Sequence, residues 1–169
     1  MCDSHIDELT SSAHGTDLLF EVLRGGEDGL LASCVGDKRI KAVQSALIGF
    51  IASSASAGNG ESPLEEYFCS RMLKRLLVLG SASREPEEAG GVASTDAELV
   101  QYFAADLWKK LVKGQCAALF ETHAAKVLAA LMFCGHDATV KELRKELAGV
   151  LKPKKMTADA WAESLGLRN

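Results

Sequence analysis

Apolar residues recur at three-and-four spacing along almost the whole chain, and no run sustains a period of two, so the pattern predicts helices and no strands. A first helix is expected over about residues 3–13 and a second over 17–23, stopped by Gly25-Gly26. Leu30, Leu31 and Val35 fit one short turn of helix. A longer helix follows over about residues 38–53, with Ile40, Val43, Leu47, Ile48 and Ile51 as its buried stripe. Ser62, Pro63 and Glu65 have the spacing of a capping box with proline at the first helical position. They predict a helix carrying Leu64, Phe68, Met72, Leu76 and Leu79 on one face. Thr95 with Glu98 repeats the spacing and opens a helix expected to run to Lys113. Residues 107–147 read as three short helices joined by tight corners, the grammar of an α-helical repeat. After Pro153, Thr157 is placed to cap a last helix with Trp161 and Leu165 inward. Loops are expected at 54–60 and at about 81–94, the latter a flexible surface excursion rich in Gly, Ala, Ser and Glu.

With 169 residues, of which 47% are hydrophobic and 25% charged, the chain can bury one core, as a single domain over 1–169 or a short run of repeats. No window approaches 18 uninterrupted apolar residues, and Met1-Cys2-Asp3-Ser4-His5 has neither a basic start nor an apolar signal region. The chain therefore reads as soluble and intracellular, with no membrane partner. Five scattered cysteines without a Cys-x-x-Cys pair argue against a disulfide framework and a zinc site, and favour buried thiols. Cys116 and His123 suggest a nucleophile pair only if an orienting acid is supplied, and the sequence offers none. Cys134 and His136 are too close and too isolated for a tetrahedral metal site. Gly25-Gly26 follows no strand and precedes no Lys-Ser/Thr, so it is a helix stop, not a phosphate loop. No enzyme activity, cofactor or small-molecule substrate is expected.

Net charge is −4, which by itself does not invite nucleic acid. Its distribution changes the picture. Residues 1–100 carry 8 Lys+Arg against 16 Asp+Glu, whereas residues 101–169 carry 11 against 7. Positive charge thus gathers in the repeat-like half.

The order of residue types from Leu107 onward resembles a pumilio (Puf) repeat. A first helix closes on Lys113-Gly114, Leu119-Phe120 makes a turn, a central helix opens near His123, and a charged amphipathic helix follows. Three collinear markers extend the likeness: Thr16-Asp17-Leu18-Leu19-Phe20-Glu21-Val22-Leu23-Arg24-Gly25-Gly26, then Glu66-Tyr67-Phe68-Cys69-Ser70-Arg71-Met72-Leu73-Lys74-Arg75-Leu76-Leu77, then Phe103-Ala104-Ala105-Asp106-Leu107-Trp108. Together, over about residues 13–151, they resemble the C-terminal Puf-like region of the Puf-A/Penguin pumilio-related family. That resemblance implies an all-α, right-handed helical-repeat solenoid. It also implies binding of structured RNA or DNA backbone with little base specificity, in ribosomal RNA processing in the nucleolus.

A base-reading Puf helix presents a small polar residue, a stacking residue, and three positions later a Gln or Glu. Aligned on Phe68, those positions are Ser70, Arg71 and Lys74; in the later repeat they are Ala125, Lys126 and Ala129. Lysine and alanine cannot read a base edge as Gln or Glu does, so charge should dominate any RNA contact. Arg71, Lys74 and Arg75 share a helix face and form either a phosphate-contacting patch or a solvated face paired with Glu65 and Glu66. Lys109, Lys110 and Lys113 are a second basic cluster, either RNA contact or plain surface. Lys152, Lys154 and Lys155 flank a proline and suit a phosphate contact or a nuclear address. Trp108 and Trp161 are expected in the core or in the packing between repeats, with base stacking the lesser alternative. The competing functional class is a scaffold that docks pre-ribosomal proteins, with the acidic first half repelling nucleic acid.

Overall fold

The computed structural model describes residues 3–56, 62–82 and 95–167, and every regular element among them is helical. In chain order these are α1 (Asp3–Thr10), α2 (Ala13–Arg24), α3 (Leu30–Val35), α4 (Asp37–Ser56) and α5 (Tyr67–Ala82). There follow α6 (Thr95–Leu107), α7 (Cys116–Leu119), α8 (Ala125–Leu131), α9 (Asp137–Leu151) and α10 (Ala158–Ser164). A π-helical turn, Trp108–Val112, prolongs α6, and 3-10 turns stand at Glu27–Gly29 and Lys152–Lys154. No helix among the described residues is long and apolar enough to cross a membrane. Most of the excursion expected at 81–94, and the loop at 57–60, lie outside the described residues; α4 and α5 themselves run on to Ser56 and Ala82.

Local chemistry sets most of the helix ends. Ser12 Oγ accepts from Gly15 N–H (3.1 Å) to open α2. Its close is a left-handed cap: Gly25 (φ 92°) and Gly26 (φ 81°) donate back to the carbonyls of Val22 and Glu21. Thr157 Oγ1 accepts from Ala160 N–H (3.2 Å) and starts α10 as expected. The beginning of α5 departs from the capping-box reading. The Ser62 carbonyl accepts from the N–H groups of Glu65 and Glu66 (2.7 and 3.1 Å), so residues 62–66 form a turn of their own. Glu66, not Ser62, caps the helix, its carboxylate accepting from Cys69 N–H at 2.7 Å. The Glu65 N–H that a Ser62 cap would need is taken by the Ser62 carbonyl, and the hydroxyl reaches only Leu64 N–H at 3.4 Å. With the start moved to Tyr67, the buried face of α5 becomes Cys69, Met72, Leu73, Leu76 and Leu77, leaving Phe68 and Leu79 half-buried. In α4, likewise, Val43 is exposed and Gln44 takes its place in the buried stripe.

α5 lies at the centre of the molecule, flanked by α2 on one side and α8 on the other, with α6 behind it and packed also on α4 and α2. One apolar cluster runs from Leu19 through Trp108 to Leu167 and ties these layers together. Both tryptophans belong to it, Trp161 stacking on Phe120 at 5.0 Å between centroids. Gly80 lets the end of α5 touch the turn before α9, where a Cβ would overlap the Cys134 carbonyl. Three helices drawn from successive parts of the chain therefore stand side by side, which places their exposed edges next to one another.

Candidate nucleic-acid interface

Between α5 and α8 lies an open groove of about 460 Å³, lined by Glu65, Tyr67, Ser70, Arg71, Lys74, His123 and Lys126. The α5 wall follows from helical spacing. With Met72, Leu73, Leu76 and Leu77 buried, positions 67, 70, 71 and 74 fall on the opposite side. The α8 wall follows from exclusion: Ala125, Val127, Leu128, Ala129, Ala130 and Leu131 are all buried, so Lys126 is the exposed residue of that helix. His123 reaches the groove from the turn just ahead of it.

Among the described residues, Arg71, Lys74 and Lys126 make no ion pair. Arg71 Nη1 instead donates to the Tyr67 hydroxyl at 3.4 Å. Of the two glutamates that could have neutralised this wall, Glu66 is turned toward Cys69 N–H, and Glu65 is the one carboxylate among the described residues that lines the groove. Among the described residues the groove thus holds three cations against a single acid.

The structure brings together Arg71, Lys74 and Lys126 and removes the other candidates from the groove. Arg75 pairs with Asp17 of α2 at 2.7 Å and lies over the Phe20 ring at 4.3 Å, so it fastens α5 to α2. Lys110 pairs with Asp106 one turn back (2.9 Å), and Lys113 with Glu142 of α9 (2.9 Å). Lys109 stays exposed on the same π-helical turn, near Glu142. That turn is bound to α9 because Glu142 also accepts from Trp108 Nε1–H (2.8 Å). Those two bonds hold the Glu142 carboxyl below its ordinary pKa. Lys154 pairs with Glu121 (3.1 Å) and covers the Phe120 ring, while Lys152 and Lys155 remain exposed.

The reader positions of the later repeat need a correction. Ala125 and Ala129 are 7% and 0% exposed, so they face the core and Lys126 alone of that trio faces outward. Cys116 is buried with its thiol on the Val112 carbonyl at 4.0 Å, whereas His123 is exposed at the groove. Burial and the neighbouring Glu146 push the Cys116 thiol up to about 12, which disfavours a thiolate there. Among the described residues no cluster of three His, Cys, Asp or Glu side chains could hold a metal. Tyr67 was not singled out in the sequence, although an aromatic one turn before Arg71 was the signal that could have found it.

Along 155 residues, 89% of its length, the chain is 26% identical to Pumilio homolog 24 of Arabidopsis thaliana. The relationship is Pumilio-like. The chain spans about 21% of that protein's length. No family model matches the chain, and no solved structure matches it. Similarity along most of the chain accompanies a fold whose regular elements, among the described residues, are all helical.

Proposed function

We propose that this chain binds RNA along the groove between α5 and α8, gripping the phosphate backbone by charge and not reading base sequence. One observation carries the reading: Arg71 and Lys74 of α5 and Lys126 of α8, far apart in sequence, line one groove and have no salt-bridge partner among the described residues. Similarity to a Pumilio homologue supports it. The absence of a base reader follows from Lys74 standing where Gln or Glu would be needed, and from the burial of Ala125 and Ala129. The resemblance to the Puf-A/Penguin family extends the proposal to a right-handed repeat solenoid acting in ribosomal RNA processing in the nucleolus. Structured RNA or DNA is then the ligand, pre-ribosomal proteins are the neighbours, and no reaction is catalysed.

Binding of a structured RNA is expected at about 50 mM salt, falling with a log–log slope of roughly −2 to −3 for three phosphate contacts. Arg71→Glu combined with Lys74→Glu should abolish it. No binding by the intact chain, or binding indifferent to that double change, would sink the RNA reading. The scaffold reading, favoured by the 16 acidic against 8 basic residues of positions 1–100, would then stand.

A further inference from the structure

We infer, resting on the RNA-binding reading, that Tyr67 is a phosphorylation site whose phosphate shuts the groove by occupying the cations RNA would use. The chain has two tyrosines. Tyr102 stands in the middle of α6 with the Lys41 ammonium over its ring at 4.9 Å. Tyr67 is the first residue of α5, is 64% exposed and lines the groove. Its hydroxyl accepts from Arg71 Nη1 at 3.4 Å, a long contact to a neutral phenol. A phosphate in place of the phenolic proton brings about −1.5 to −2 charge and three acceptor oxygens to that guanidinium, and makes the contact a charge-assisted one.

The surroundings favour that charge. Arg71 is one turn on from Tyr67, Lys74 two turns on along the same face, and Lys126 lines the groove from α8 on a flexible stem. A dianion on the first residue of a 16-residue helix is further stabilised by the N-terminal end of the helix dipole. Among the described residues, the three cations and Glu65 leave the groove at a formal +2, which a phosphate of about −1.5 to −2 cancels. RNA held by charge then has nothing left to grip. Recognition is also written beside the tyrosine. Glu65 and Glu66 immediately precede it, an acidic approach that suits a protein-tyrosine kinase with a basic substrate cleft. Helix ends open before helix centres, so Tyr67 is the easier of the two tyrosines to present. In the transfer, Tyr67 Oη forms a bond to the γ-phosphorus of ATP as the bond to the β–γ bridging oxygen breaks. ADP leaves, and the phenolic proton passes to the kinase's catalytic carboxylate.

The test treats the whole folded chain with an acid-directed tyrosine kinase and ATP, maps the phosphate by mass spectrometry, and follows it by phosphorus NMR and by binding of a structured RNA. The phosphate is expected on Tyr67 and not on Tyr102. Its second ionisation should fall below the ordinary value of about 6 and return to it in Arg71→Gln with Lys74→Gln. RNA affinity at about 50 mM salt should drop about tenfold or more on phosphorylation. Tyr67→Phe, given the same treatment, should keep whatever affinity it had before. The proposal is overturned if Tyr67 stays unmodified in the native chain, if its phosphate titrates as a free one, or if the phosphorylated chain binds RNA as the parent does. If the unmodified chain binds no RNA while the ionisation of the phosphate is still lowered, the RNA reading fails and the phosphate seat on Arg71 and Lys74 stands.

Discussion

Gln44 is a polar side chain, 1% exposed, inside the apolar stripe of α4. Its Nε2 donates to the carbonyls of Leu23 (2.9 Å) and Leu99 (3.1 Å). The first is an orphan carbonyl at the end of α2 and the second lies in α6, so one amide joins three helices. Gln44→Leu should cost roughly 1–3 kcal/mol in urea unfolding, because buried carbonyls lose a donor and gain none. A change below about 0.5 kcal/mol would show that the amide contributes nothing net. Gly80 is a comparable single point. Gly80→Ala adds a methyl where the Cys134 carbonyl already stands, and a loss of about 1–3 kcal/mol is expected in the same assay. Neither residue was legible in the sequence. A glutamine beside Val43 reads as a surface position, and a glycine inside a helix reads as a weak point, until the neighbouring helix is in place.

At the scale of elements, α9 works as a fastener for the π-helical turn. Glu142 accepts from Trp108 Nε1–H and Lys113 Nζ, while Glu146 accepts from the N–H groups of Gly114 (2.9 Å) and Cys116 (3.2 Å). The amphipathic pattern of α9 was plain from Leu143, Leu147 and Leu151, all buried as that pattern requires. What its carboxylates hold was not, since glutamates among lysines look like ordinary intrahelical pairs. The tie has a pH signature. Glu142 is held below the ordinary carboxyl value by the Trp108 hydrogen bond first and Lys113 second. A depressed folded pKa gives stability that is complete above the unfolded value of about 4.3 and is lost as pH falls through the lower folded value. The parent chain should therefore be more stable than Glu142→Gln near neutrality, with the gap closing as pH falls through and below the ordinary carboxyl range of about 4.3. Urea midpoints that stay parallel across that range would contradict the tie.

At the scale of the whole molecule, a single apolar cluster links α2 to α10, and three thiols sit inside the fold. A maleimide should modify exposed Cys34 quickly in the native protein and reach Cys69, Cys116 and Cys134 only across the unfolding transition. Labelling of these three at markedly different denaturant concentrations would show that the core opens in separate parts. The division between sequence and tertiary structure runs along the same line as that between local and distant contacts. Helical class, the Gly25-Gly26 stop, the Thr157 cap and most core positions depend on neighbours within a few residues, and the pattern alone determined them. It also determined that Arg71 and Lys74 share a helix face. Which cations remain unpaired was decided by folding. Arg75, Lys113 and Lys154 are neutralised by Asp17, Glu142 and Glu121, which lie 58, 29 and 33 residues away in the chain. Tyr67 and Lys126 met across a groove only because α5 packs against α8. An ion pair or a groove forms between surfaces that no local period describes, and the packing of helices is what brought them together.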